Sequence, residues 1–312
     1  MIHFFKRNKV LAAAVLSVCA LPASLVGTPA ALADNITLQD DTQTKIELSK
    51  PAERIVSLAP HLTELLFSVN AGSKIIASVD YANYPEAAKK IPSLGNFTKL
   101  SAEAIIAYKP DLVIAWESGN DPRVVTQLRQ LHIPVYVQAG ENMDLLAREI
   151  RQLGILTGNP YEAEKLARET EEEIHKLKAT YAQKTPVRVF YQVWNSPMMT
   201  VNDEQQIGKI IHFCGGENVF GKATILAPQV SIESVLAADP DVIIASGMDQ
   251  SRPEWLDEWK KWPQLRAVKN NTLFFIEPDL VQRFTLRSLQ GAHKVCEFLD
   301  AARAKKALNA SP

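Results

Sequence analysis

Much of what usually marks chemistry in a sequence is missing from this 312-residue chain. No G-x-G-x-x-G follows a strand-like run, and G-x-x-x-x-G-K-[ST], G-x-S-x-G and H-E-x-x-H do not occur. Dinucleotide and phosphate cradles, a nucleophile elbow and a helical zinc pair therefore have no support, and without a Ser/His/Asp set at telling spacing no enzyme activity is expected. His132, His175 and His212 are scattered rather than paired at i and i+4, so no metal or cofactor is expected either. A basic excess is also lacking. The 34 Lys and Arg face 35 Asp and Glu, and setting aside Lys6, Arg7 and Lys9 of the first 33 residues leaves 31 against 35, a net of −4. Nothing in that balance draws nucleic acid. Beyond residue 33 no apolar run approaches the roughly 20 residues that a membrane-crossing helix needs.

What is present begins with a leader. KRNK supplies a positive start, Val10 to Val26 an apolar stretch broken by Pro22, and Ala31-Leu32-Ala33 an A-x-A cleavage site. Residues 1–33 are predicted to be a signal peptide cleaved after Ala33, leaving a soluble, exported protein. Cys19 follows Leu16-Ser17-Val18, where the large Val18 departs from a lipoprotein box. Cys214 and Cys296 then remain as an even pair in an oxidising compartment, which predicts a disulfide.

The mature length exceeds what one hydrophobic core usually serves, so two domains are expected. Residues 36–49 alternate about a polar centre and predict an exposed hairpin. Strand and helix patterns then alternate through Leu156, as βαβ units do. Residues 159–183, NPYEAEKLARETEEEIHKLKATYAQ, predict one uninterrupted amphipathic helix. Asn159 is its cap, and Ala163, Leu166, Thr170, Ile174, Leu177 and Tyr181 form its buried stripe. After it the βαβ rhythm returns. SAEAIIAYKPDLVIAW (101–116) and SIESVLAADPDVIIAS (231–246) agree at seven of sixteen positions without a gap, which suits two similar lobes. The expected fold is α/β. Two Rossmann-like lobes, 34–158 and 184–312, are joined by the single helix 159–183, with a ligand cleft between them.

RIVSLAPHLTELLF, DYANYPEAAKKIPSLGNF, LSAEAIIAYKPDLVIAW, HFCGGENVFGK, PQVSIESVLAADPDVII and WPQLRAV, in that order, resemble the helical-backbone substrate-binding proteins of ABC importers. The resemblance spans nearly the whole mature chain and is strongest to the corrinoid-binding members, whose cysteine pair matches Cys214 and Cys296. It implies a monomeric periplasmic receptor that delivers its ligand to a membrane permease dimer.

Ligands of open α/β sheets collect beyond the carboxyl ends of the strands. Trp116 and Trp194 end strands there, His61 follows the first strand, Tyr81 and Tyr84 follow the second, and Phe97 precedes the repeat helix. Such flat groups suit a large planar ligand: cobalamin or a related corrinoid, with haem or a ferric siderophore as alternatives and a two-lobed enzyme as the remote one. The resemblance implies corrinoid contacts for Tyr84, Phe97 and Trp116. Ala227 and Leu280 stand where the family has large aromatics, and Trp194, Met198, Met199 or Phe284 are candidates to fill that space. Arg283 and Arg287 are candidates for an anionic group of the ligand, and His61 for a polar contact. Glu103 and Glu233 hold equivalent places in the repeat, each two residues after a Ser cap. A carboxylate is favoured there by the helix dipole, and the resemblance implies permease docking for both.

Overall fold

The computed structural model describes Met1 and residues 35–140, 142–181, 183–247 and 251–310. The leader, the cleavage site after Ala33 and Cys19 lie outside the described residues. Asp34–Pro312 form a unit of their own.

Ile36–Gln39 (β1) and Lys45–Leu48 (β2) pair antiparallel as the alternation predicts. This hairpin is pinned down rather than loosely exposed. Asp40, at its turn, is 2% exposed and accepts hydrogen bonds from the backbone of Thr42, Thr44 and Val137 and from Arg129 Nη2. Asp41 accepts from Ala139 N and Arg148. A buried carboxylate is tolerated because its lone pairs are filled and Arg129 neutralises it.

Ile55–Ser57 (β3), Pro60–Ser68 (α1), Ile75–Ala77 (β4), Ala102–Ile106 (α2), Leu112–Trp116 (β5), Pro122–Gln130 (α3) and Val135–Gln138 (β6) build the first lobe. Its four strands are all parallel, in the order β4-β3-β5-β6. They read as continuous apolar runs because helices cover both faces. Met143–Thr157 (α4) ends at Gly158, whose φ of +78° suits the left-handed cap that glycine adopts without strain.

Pro160–Tyr181 (α5) follows, about 33 Å long at 1.5 Å per residue. It lies along α4 so closely that a Cβ on Gly154 would stand 2.1 Å from Ala163 Cβ. Arg151 reaches from α4 to Glu164 and Glu171, and Lys178 reaches back to Asp144. Asn159 does more than precede the helix, since its Nδ2 donates to Val69 O at the end of α1.

The second lobe holds Val187–Gln192 (β7), the short hairpin Trp194–Asn195 (β8) and Met198–Met199 (β9), Gln206–Phe213 (α6), Gly216–Asn218 (β10), Ile232–Ala238 (α7), Val242–Ala245 (β11), Arg266–Lys269 (α8), Leu273–Phe275 (β12) and Arg287–Ala310 (α9). Helix α5 also touches α6 and α9 of this lobe. The strand order β10-β7-β11-β12, again parallel, reproduces that of the first sheet. Gly215 stops α6 with a φ of +70°, but Gly216 already begins β10, a strand too short to show in the sequence pattern. Cys214 and Cys296 form the expected disulfide.

The sequence repeat has a structural counterpart in its hydrogen bonds. Ser101 Oγ caps α2 by accepting from Ala104 N, and Ser231 Oγ caps α7 by accepting from Ser234 N. Asp111, in the Pro-Asp step before β5, accepts from Arg54 N just ahead of β3. Asp241, in the same step before β11, accepts from Arg188 N at the start of β7. The guanidinium of each arginine donates to the helix end, Arg54 to Tyr108 O and Arg188 to Ala238 O. The matching letters therefore encode one joint used twice, which locks a helix C-terminus and two strand starts together.

Beneath the first sheet, Tyr136 Oη lies 2.9 Å from Glu149 Oε2 and also contacts Gln152 Oε1. Glu149 Oε1 is buried without a partner, so the charged carboxylate is poorly served here and the protonated form is favoured. Burial, reinforced by the charge of Asp41 and opposed by the Tyr136 hydrogen bond and by Arg148, pushes Glu149 up to about 8. Because the folded value lies above the ordinary 4.5, Glu149 contributes most below that pH, and its contribution declines until pH passes about 8. Glu149→Gln should therefore gain on the wild type as pH rises, by on the order of 3 kcal/mol between about pH 5 and pH 8. Urea unfolding of both proteins across that range measures this; a constant difference would contradict it.

Candidate functional site

The carboxyl ends of the two parallel sheets face one cleft of about 480 Å³, lined by Pro60, His61, Tyr81, Phe97 and Trp116 from the first lobe and by Pro278, Asp279, Gln282 and Arg283 from the second. Two other crevices, beside Glu47, His132 and Pro134, open at the amino ends of β5 and β6 and bring no aromatic cluster together.

Trp116, the last residue of β5, is the centre of the first-lobe wall. Its ring meets His61 edge-on at 5.1 Å and Phe97 at 5.7 Å with a 47° tilt. His61 is 4% exposed and hydrogen-bonds through Nε2 to Gln138 Oε1 at 3.1 Å. Burial dominates its titration, with the Gln138 bond opposing and the Arg283 charge assisting, and lowers its pKa to about 4. The imidazole is neutral at any physiological pH. With Nε2–H donating to Gln138, its Nδ1 is an acceptor. Tyr81 is 70% exposed on a backbone with a φ of +65°, a left-handed conformation uncommon for a residue with a Cβ.

Tyr84 stands at the lobe junction and does not line the cleft. Its ring lies 4.0 Å beneath the Arg287 guanidinium. Arg287 is not available for a ligand anion, because Nε and Nη2 bind Glu64 Oε1 and Oε2 at 2.8 and 2.6 Å while Nη1 faces Asp279 at 3.5 Å. Burial opposes the Arg287 charge, but the hydrogen bonds and charges of Glu64 and Asp279 outweigh it and raise the pKa. Arg283 does border the cleft. It pairs with Asp279 at 3.1 Å and donates to Asn83 Oδ1 at 2.9 Å, a second link between the lobes.

Two second-lobe candidates are placed differently from the expectation. Phe284 is 1% exposed within the main core, since the turn before α9 points it inward, so it cannot replace a missing rim aromatic. Trp194 is half-exposed on the β8–β9 hairpin, where its Nε1 donates to Ser196 O, and it is not among the residues lining the cleft. That hairpin extends into a flap, because Thr200 N donates to Pro228 O and Asn202 N to Leu226 O. Ala227 is exposed on this flap beside Ile225 and Leu226, which are 64% and 52% exposed. The sequence offers no period or cap to single out these two aliphatic residues; only their exposure does. Leu280 is partly buried and packs against the core. Met198 and Met199 are half-buried within the flap. Glu103 and Glu233 are exposed in the first turns of α2 and α7. Hydrogen bonding to its own backbone and to Ser231 lowers the Glu233 pKa, which keeps its carboxylate charged.

Among the described residues no group of His, Cys, Asp and Glu is placed to hold a metal ion, and no helix is long and apolar enough to cross a membrane. The cleft brings together a flat apolar wall, one neutral imidazole and a polar edge on which Arg283 is paired with Asp279.

Residues 55–280 match the periplasmic binding protein family. The vitamin B12-binding protein of Vibrio parahaemolyticus is 35% identical over 258 residues, covering 83% of this chain and 93% of that protein. The vitamin B12-binding protein of Yersinia pestis is 32% identical over 253 residues, covering 80% and 87%. Among solved structures, the periplasmic vitamin B12 binding protein of Vibrio cholerae superposes with a TM-score of 0.75 at 34% identity, covering 81% of this chain and 98% of the other. The periplasmic heme-binding protein of Roseiflexus follows at 0.70 and 26%, covering 80% and 99%.

Proposed function

We propose, from the premise that this chain belongs to the periplasmic binding protein family, that it captures cobalamin or a closely related corrinoid between its lobes and delivers it to the permease of an ABC importer. The observation that carries this reading is the asymmetric cleft, with Trp116, Phe97, Tyr81 and His61 on one side and Gln282 and Arg283 on the other. A corrin ring offers a broad face for dispersion contact, and its amide and phosphate periphery meets the polar edge. A corrinoid with its nucleotide loop is bulkier than the enclosed 480 Å³, so part of it rests on the rim. The exposed Trp194, Ile225 and Leu226 of the flap are the apolar groups this reading assigns to that contact, since Ala227 and Leu280 carry no ring.

In this reading the leader is removed after Ala33, the monomeric mature protein works in the periplasm, lobes 34–158 and 184–312 share the connector 159–183, and Glu103 and Glu233 dock on the two halves of the permease. Titration calorimetry with cyanocobalamin tests the ligand, with haemin as the comparison. Binding at micromolar protein is expected for cyanocobalamin; heat from haemin alone would transfer the proposal to haem. In the same preparation, reversing Glu103 and Glu233 to Lys should leave cyanocobalamin affinity intact and abolish stimulation of the permease ATPase. Undiminished stimulation would remove the docking role.

A further inference from the structure

We infer that Asn120 is a positioning residue for the ligand, a side chain that fixes the Trp116 and Phe97 segments of the aromatic wall to the strand end that leads to His61. It is 7% exposed in the turn after β5 and makes three side-chain hydrogen bonds. Its Oδ1 accepts from Trp116 N at 2.7 Å, while Nδ2 donates to Leu58 O at 2.9 Å and to Phe97 O at 3.0 Å. Both amide hydrogens are spent, so only a carboxamide of this length satisfies all three backbone atoms. Those atoms belong to the three segments whose rings touch one another: Leu58 leads through Pro60 to His61, and Phe97 and Trp116 are themselves ring-bearing, while Tyr81 stands on a fourth segment. A buried asparagine bonded to backbone is ordinary. One that ties together the three segments whose rings meet edge-on and tilted in a cleft acts on the cleft.

The neighbouring geometry shows why the rings need holding. A Cβ on Gly119 would lie 1.9 Å from Trp116 Cε3, so the indole rests directly on that glycine. On the far side of Trp116 a recess of about 240 Å³ opens, bordered by Thr42, Glu117, Pro122 and Val125, with Asn120 in its wall. An indole released from its fixed backbone has somewhere to go, and binding would then carry the cost of ordering it.

This inference rests on the proposed cleft function, and its test separates the two. In protein labelled with 5-fluorotryptophan, the Trp116 resonance of ligand-free Asn120→Asp should shift or broaden, while the other four tryptophans of the five keep their positions. Asn120→Asp is isosteric but lacks both donors. Its cyanocobalamin affinity should fall on the order of tenfold or more. In a Trp116→Ala background the same change should cost far less, because the two act through one element. Gly119→Ala leaves the hydrogen bonds in place, displaces the ring sterically, and should weaken binding likewise if Asn120→Asp does not fold. An unmoved Trp116 resonance, or an equal loss of affinity in both backgrounds, overturns the assignment. If the wild type takes up no cyanocobalamin, the functional reading fails and the fluorine spectra alone decide the positioning role.

Discussion

Replacing Arg287 by alanine is expected to lower folding stability by about 3–5 kcal/mol and to loosen the lobes. Glu64 belongs to α1 in the first lobe and Arg287 opens α9 in the second, and their side chains are 3% and 14% exposed. The pair is bidentate, and Asp279 and the Tyr84 ring complete the shell. Removing the guanidinium leaves the Glu64 carboxylate, only 3% exposed, without its partner, and that uncompensated charge is the larger part of the loss. Glu64→Gln combined with Arg287→Met should therefore recover most of the stability, since neither change leaves a charge alone. It should not recover the lobe spacing, because the link itself is gone. Urea unfolding reports the first effect and small-angle scattering the second. A loss below about 1 kcal/mol for Arg287→Ala would mean that the clasp is open in solution.

Converting both Cys214 and Cys296 to alanine should cost about 4 kcal/mol. The bridge joins the end of α6 to the middle of α9 across 82 residues, and between them lie β10, α7, β11, α8 and β12. Most of the second sheet is thus enclosed in one covalent loop, which restricts the unfolded chain more than a short loop would. Both sulfurs are buried, and Cys214 Sγ lies 3.3 Å from Ala292 O, so replacement also leaves a small cavity there that adds to the loss. Ligand affinity should change little, because the bridge is remote from the residues lining the cleft. Thermal unfolding of the double variant measures the effect. A midpoint within a degree or two of the wild type would mean that the second lobe holds this loop closed without the bond.

Much of the architecture is written locally and could be read without coordinates. Val135–Gln138, Met143–Thr157 and Gln206–Phe213 are marked by period, cap or apolar run alone, and the 101–116 and 231–246 segments announce two related lobes because one joint recurs in both. The position of Trp116 is legible for the same reason, since a residue that ends a parallel strand must stand at the edge where clefts form. The flap is not legible: β8 and β9 are two residues each, below any period, and the exposure of Ile225 and Leu226 depends on what fails to cover them.

The sequence by itself thus determined the strands, the long α5, the cysteine pairing and the edge from which His61, Phe97 and Trp116 emerge, all consequences of short-range pattern or of composition. Only the tertiary structure decided that Arg287 meets Glu64, that Phe284 turns inward, that Asp40 pins the first hairpin and that Asn120 binds three segments at once. Each of those outcomes depends on groups far apart in the chain competing for one buried partner, and that competition is settled only when the lobes have closed on their cores.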